Sequence, residues 1–328
     1  MLAFVFKRIV WSVPLLFLIS VLAFILITLP PGDYATAYMA QAAASGEEVD
    51  PAVIAALRER LGLDQPLPVQ YWVWISGILQ GDFGRSFEWN EPVGDLIWGR
   101  MGYTLILTIA TLFFTWIVAL PIGIYSAVRQ YSLGDYVATG FGFLGLATPN
   151  FLLGLAALYI GVAYFGVDLT GFHSAQYINA PWSWAKIVDL AEHLWLPVLV
   201  LGTAGTASLI RVMRANLLDE LQKPYVEAAR ARGMSYLAVL LKYPVRLAIN
   251  PFISTVGWIL PQLVSGSIIV SIVLSLQTSG PMLLQSLLSQ DMYLAGAFIL
   301  LLSVLTIIGT LVSDILLALI DPRVRYDD

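Results

Sequence analysis

Six long apolar runs punctuate the chain, at residues 9–29, 102–128, 136–166, 194–217, 252–275 and 294–320. A hydrocarbon core of about 30 Å takes about 20 residues of helix at about 1.5 Å per residue, so each run predicts one membrane-crossing helix. No water reaches the backbone at that depth, and a helix satisfies its peptide groups within the segment. An even number of crossings places both termini on one side. The first run begins after Lys7-Arg8 and closes on Leu29-Pro30-Pro31-Gly32-Asp33 without a small-residue cleavage pattern, which predicts a retained first helix.

Three longer polar stretches separate the runs: 30–101, 167–193 and 218–250. In the first, Asp50 reads as an N-cap with Pro51 in the first turn, and Gly62 ends the helix that follows. A second pattern runs from Val69 to Leu79 and carries Tyr71, Trp72 and Trp74. It predicts a helix lying at the membrane interface, or a small cap on the ends of the spans that also offers a docking surface. The second stretch holds Trp182, Trp184 and both histidines, His173 and His193. Two histidines 20 residues apart without a thiol read as loop residues rather than a metal pair.

The third stretch predicts a helical hairpin. Pro224 suits the start of a helix, Gly233 its end, and Ser235 the N-cap of a second. Within it, Ala228, Ala229 and Ala231 are small enough to let another surface approach. Glu227, Arg230 and Arg232 supply polar contacts. Composition by itself favours a solvated amphipathic hairpin.

Apolar residues make up 59% of the chain and charged residues 12%, with a mean hydropathy of +0.80. Soluble domains are about a quarter charged. The chain therefore reads as one polytopic membrane unit, not as two soluble domains. The net charge of −5 conceals a segregation. Twelve of the seventeen basic residues fall on one face: Lys7, Arg8, Arg129, Arg211, Arg214, Lys223, Arg230, Arg232, Lys242, Arg246, Arg323 and Arg325. The positive-inside rule makes that face cytoplasmic, with both termini. The opposite segment, 30–101, carries ten acids against four arginines.

Cysteine is absent, which removes disulfides, thiolate metal sites and a cysteine nucleophile. Neither H-E-x-x-H nor G-x-S-x-G occurs, so nothing supports an intramembrane enzyme. A Gly-x4-Gly-Lys-Ser/Thr phosphate loop is also missing, and the chain is not itself an ATP-binding subunit. Gly140–Gly145 and Gly202–Gly205 lie in apolar runs and read as sites of close helix packing. Few charges enter the runs. Asp314 sits at the depth of Arg211 and Arg214, and pairs with one of them unless the arginines snorkel independently. Thr148, Asn150, Gln262 and Ser265 are the polar residues best placed to line a path, the alternative being hydrogen bonds between helices.

The run Glu227-Ala228-Ala229-Arg230-Ala231-Arg232-Gly233 resembles the Glu-Ala-Ala-x3-Gly signature of ABC-importer permeases. Further motifs narrow the resemblance to the dipeptide/oligopeptide/nickel family, and to the longer member of its permease pair. They are Phe6-Lys7-Arg8 with the Pro30-Pro31-Gly32 exit, Leu61-Gly62-Leu63-Asp64-Gln65-Pro66, Gly81-Asp82-Phe83-Gly84-Arg85-Ser86, Thr148-Pro149-Asn150-Phe151, and Asp321-Pro322-Arg323-Val324-Arg325-Tyr326. Two stretches depart from it. Tyr243-Pro244-Val245-Arg246 stands where the signature has Ile-x-Leu-Pro, and Gln277-Thr278-Ser279-Gly280-Pro281 where peptide permeases have a Gly-Leu-Pro-Gly run.

The resemblance implies an all-α type I ABC-importer permease fold with six transmembrane helices. Its parts would be a first helix over 1–30, a periplasmic helical segment over 31–101 and a permease core over 102–328 with its coupling segment at 218–250. It implies a second homologous permease, two cytoplasmic ATPases that carry ATP and Mg, and an extracytoplasmic solute-binding protein. The chain itself would bind no cofactor, metal or nucleic acid, and would sit in a bacterial inner membrane. Residues 227–233 would be the part that meets the ATPase. The cargo is expected to be di- or oligopeptides, with oligosaccharides the alternative and nickel disfavoured for want of a His, Cys or Met cluster. Outside this family, a secondary transporter would need a buried acid–base relay or inverted repeats, and neither is evident.

Overall fold

The computed structural model describes residues 2–46 and 49–320, with side chains described except at 2–5, 251, 255–265 and 318–320. Among the described residues the chain is helical, with one isolated bridge between Arg85 and Pro92. In chain order the helices are α1 (Leu2–Thr28), α2 (Tyr34–Ala44), α3 (Pro51–Leu61), α4 (Leu67–Leu79), α5 (Val93–Val128), α6 (Leu133–Ala147) and α7 (Asn150–Ile160). They continue as α8 (Trp184–Leu221), α9 (Pro224–Ala231), α10 (Tyr236–Lys242), α11 (Pro244–Ala248), α12 (Asn250–Val273), α13 (Ser279–Leu288) and α14 (Met292–Ile320). Five stretches of the described residues are long and apolar enough to cross a membrane, six if one bent pair counts as a span. One of the five, Tyr236–Ser254, runs through the short helices α10 and α11. The run expected at 252–275 is carried by the 24 residues of α12.

Two compact units divide the described residues of these helices: those within 2–104 with 278–307, and those within 105–277 with 308–320. In the first, Asp33 caps α2 by accepting from Thr36 N at 2.8 Å and from Thr36 Oγ1 at 2.7 Å. The same carboxylate takes Arg58 Nε of α3 at 2.7 Å, which ties the two short helices together. Burial opposes ionisation of Asp33, but the bonds from Arg58 and Thr36 outweigh it and hold the carboxyl below its ordinary range. A depressed acid stabilises the fold above its unfolded value, and the gain is lost as pH falls through the folded one. Helix α3 forms as expected: Asp50 accepts from Ala52 N at 2.8 Å, and Gly62 closes the helix at φ +67°.

Helix α4 is a packed cap. Trp74 is 1% exposed and packs against Phe24 and Tyr71, while Ser20 and Tyr71 share a 2.8 Å hydrogen bond. Gly296 lets the indole approach, since a Cβ there would stand 2.5 Å from the Trp74 ring. Trp72 faces outward, 68% exposed, so this helix also keeps an apolar outer face.

Asp291 fastens the loop 82–92 to the start of α14. It accepts from Ser86 Oγ at 2.5 Å, Glu88 N at 3.2 Å and Leu294 N at 3.2 Å, and is fully buried. Burial pushes its carboxyl above the ordinary range, against the pull of those bonds. A raised acid binds its proton more tightly folded than unfolded, so this group costs stability as pH rises from the unfolded value through the folded one. Asp291→Ala strands three donors and is expected to cost about 3 kcal/mol, whereas Asp291→Asn keeps an acceptor and costs about 1 kcal/mol. Thermal unfolding of the purified chain, followed by tryptophan fluorescence, measures both.

In the second unit the run at 136–166, expected as one span, is sharply bent in the structure. Helix α6 and the α7 segment with its π-helical end, Gly161–Phe165, meet at 99°. Pro149 disfavours helix at the residue before it, and Thr148 is extended at ψ 122°. The Thr148 hydroxyl turns back to Leu144 O at 2.8 Å. The core of this unit gathers Ala119 and Ala127 of α5, Met213 and Leu217 of α8, Leu240 of α10, Val245 and Ala248 of α11, and Phe252 of α12. Two of the glycines expected at close contacts are found there. A Cβ at Gly145 would meet Thr203 at 2.7 Å, and one at Gly202 would meet Phe114 at 2.6 Å.

Candidate functional site

Helix α9 starts at Pro224, which needs no amide partner in the first turn, and lasts eight residues. Val226 and Ala229 stand three apart and so share one face. Both are buried against Val239 of α10, with Tyr225, Met234 and Tyr243 around them. The opposite face is therefore turned out: Glu227, Ala228, Arg230, Ala231, Arg232 and Gly233 are all exposed. Ala229, read from sequence as part of the outer surface, instead belongs to the hairpin's small core. Two alanines flanked by an acid and two arginines make a low, charge-rimmed surface that a complementary groove can approach closely.

The turn after α9 is set by Gly233, at φ +79°, whose N–H donates to Arg230 O at 2.9 Å. L-residues with a Cβ pay for that conformation, and glycine does not. Ser235 sits at the N-cap of α10 with extended backbone, but its hydroxyl makes no capping bond. Arg230 lies over the Tyr236 ring at 5.4 Å. The Tyr225 hydroxyl donates to Glu220, which fixes α9 to the end of α8. Burial, and then the Glu220 carboxylate, push the Tyr225 phenol above its ordinary value, so it stays a donor. Leu240, Val245 and Ala248 carry the hairpin into the core formed with Met213 and Leu217. The exposed face of α9 is thus mounted on a long, packed helix.

The remaining expected site residues do not converge on α9. Thr148 and Asn150 stand at the sharp bend between α6 and α7. Gln262 and Ser265 belong to α12, with side chains outside the described residues. Arg214, expected opposite Asp314, donates from Nη2 to Asp135 at 3.2 Å. Arg211 lies beside the Phe143 ring at 6.0 Å. Asp135, which sequence reasoning missed, is 3% exposed and also accepts from Tyr131 N at 2.9 Å. The signal for it was Ser132-x-x-Asp135, a helix-start pattern in which Ser132 Oγ accepts from Asp135 N at 3.3 Å. His173 ties the loop before α8 to that helix, and His193 lies within α8 itself. His173 Nδ1 meets Asp189 at 2.9 Å, Ser174 Oγ donates to the same carboxylate at 2.5 Å, and His193 Nδ1 bonds Asp189 O at 2.7 Å. Among the described residues no group of three His, Cys, Asp or Glu side chains could hold a metal ion.

Membrane-length apolar helices, one of the crossings bent, and an exposed helix on a short hairpin are the elements of a type I importer permease. The solved inward-facing MetNI methionine ABC transporter shares this fold with a TM-score of 0.51 at 16% identity, over 69% of this chain and 96% of that one. Residues 119–326 match the family described as "Binding-protein-dependent transport system inner membrane component", and residues 1–108 match its N-terminal companion. The chain is 34% identical to the oligopeptide transport system permease protein AppB of Bacillus subtilis, over 99% of this chain and 100% of the relative. It is 36% identical to the glutathione transport system permease protein GsiC of Salmonella choleraesuis, again over 99% and 100%. The chain belongs to the binding-protein-dependent transport system inner membrane component family. It is a non-catalytic, multi-span permease subunit of an ABC importer, a class that works with an ATPase and a binding protein.

Proposed function

We propose that this chain forms half of the translocation path for di- or oligopeptides and converts ATPase motion into opening of that path. The observation that carries the reading is the α9 face: six exposed residues of a Glu-Ala-Ala-x3-Gly run on a hairpin bolted to α8. The full-length relatives named for oligopeptide and glutathione transport support the cargo class. A second, homologous permease completes the path. Two ATPase subunits hold ATP and Mg, and one of them receives α9 in a groove. A solute-binding protein delivers cargo to the opposite face, where residues 31–101 form the helical cap. Both termini and the 218–250 segment are cytoplasmic, in the plasma membrane of a bacterium. Within the permease core, a push on α9 reaches α8 through Leu240 and Val245, and reaches α6 through Arg214 and Asp135.

Two measurements test this. Proteoliposomes holding both permeases and the ATPases should take up a labelled tripeptide only with ATP and the binding protein present. Uptake without ATP would overturn the importer reading. For topology, the absence of native cysteine makes single-cysteine variants clean reporters. A membrane-impermeant maleimide should label Ala52→Cys in intact spheroplasts, and Ala238→Cys, exposed on the same hairpin but outside the α9 face, only after permeabilisation. The reverse pattern would overturn the orientation.

A further inference from the structure

The first unit contains a cavity of about 610 Å³ that the transport reading does not use. Ligand pockets run from about 300 to 1,000 Å³ and combine apolar walls with a few placed polar groups. Here the walls are aromatic: Tyr34 and Tyr38 of α2, Phe87 of the loop and Tyr293 of α14. Their rings hold one another in place, Tyr34 to Phe87 at 5.4 Å and Phe87 to Tyr293 at 5.3 Å edge-on. Beneath Phe87, the neighbouring Ser86 is clamped to buried Asp291, so the wall stands on a rigid floor.

Its charged groups are two arginines and one acid, and its aromatic walls carry phenol donors. Tyr34 is 8% exposed and lines the cavity, yet no hydrogen bond among the described residues engages its hydroxyl. Burial, then the charges of Glu88 and Asp291, push that phenol up to about 12, so it remains protonated and able to donate. Arg60 and Arg85 also line the cavity. Arg85 spends one N–H on Asn90 O at 2.6 Å and keeps the rest of its fork. The one acid of the lining, Asp82, is engaged by Gly84 N at 2.8 Å. Segment 30–101 has only four arginines among ten acids, and two of the four stand at this cavity.

We infer that this cavity binds small carboxylates on an aromatic or branched apolar body, with the Tyr34 hydroxyl and the Arg60 and Arg85 guanidiniums taking the carboxylate and the aromatic walls taking the body. The chemistry selects the ligand. An anion with an apolar body meets a hydroxyl open to the cavity and two cations while covering ring faces, whereas an amine meets the two like charges and finds the single carboxylate of Asp82. This site stands on its own geometry, independently of the cargo and orientation proposed above.

The test titrates the full-length chain in lipid nanodiscs with N-acetyl-L-phenylalanine and with its primary amide, followed by saturation-transfer NMR. The acid should bind about tenfold or more tightly than the amide, as expected for a charge-assisted contact. Tyr34→Phe deletes only the hydroxyl and Arg60→Gln only an exposed charge. Each should weaken the acid about three- to tenfold and leave the amide unchanged. Tyr38→Ala, on the wall, should weaken both. Equal binding of acid and amide, no saturable binding, or unchanged acid binding in both Tyr34→Phe and Arg60→Gln would overturn the inference.

Discussion

Gly233→Pro is expected to silence ATP-driven uptake, by tenfold or more, while Gly233→Ala retains a large part of it. The reason is local. Gly233 sits at φ +79° with nothing within 4 Å of where a Cβ would stand, so alanine pays only for its backbone, about 1 kcal/mol. Proline demands φ near −65° and deletes the N–H that bonds Arg230 O, at about 3 kcal/mol or more. Such a cost exceeds what the small Val226–Ala229–Val239 core can resist, and the turn rearranges. The exposed face of α9 is then re-aimed while the apolar spans remain intact. Tripeptide uptake by reconstituted proteoliposomes measures the series. Wild-type uptake in the proline variant would show that this turn takes no part in coupling.

Asp135→Ala should destabilise the second unit strongly for a single polar change. The carboxylate is 4% exposed and holds Arg214 and the Tyr131 amide. Removing one partner of a buried pair costs about 3–5 kcal/mol because the other charge is left uncompensated. Arg214 is 30% exposed and keeps some access to its surroundings, so the lower end, about 3 kcal/mol, is expected. Adding Arg214→Met to Asp135→Ala should recover at least half of that loss, since no buried charge is then stranded. Thermal unfolding of single and double variants in detergent decides it. A double variant less stable than Asp135→Ala alone would contradict the account.

Features written in a few consecutive residues were the ones the sequence made legible. Asp50-Pro51 and Gly62 bracket α3, and Pro224 and Gly233 bracket α9, because caps and breakers act over one turn. The apolar runs were equally plain, but at 136–166 they concealed a bend. Thr148-Pro149 is a breaker signal, yet hydropathy continues unbroken across it, and only the dihedrals of Thr148 show the 99° turn. Ala229 was misplaced because the i, i+3 match with Val226 becomes meaningful only once Val239 is known to cover it. Pairs far apart in the chain were out of reach. Asp135 and Arg214 are separated by 79 residues, and Ser86 and Asp291 by 205, so nothing local couples them.

The central claim is that the exposed face of α9 is covered by the ATPase in the working transporter. Thiol labelling tests it most directly, in a chain that contributes no cysteine of its own. Ala228→Cys and Ala231→Cys, each in the purified permease, are timed against a maleimide with and without the ATPase subunits, whose own cysteines are removed. The account predicts fast labelling of both in the permease alone, and protection of tenfold or more in the assembled complex. Equal labelling rates in the two states, with the ATPase demonstrably bound, would contradict it.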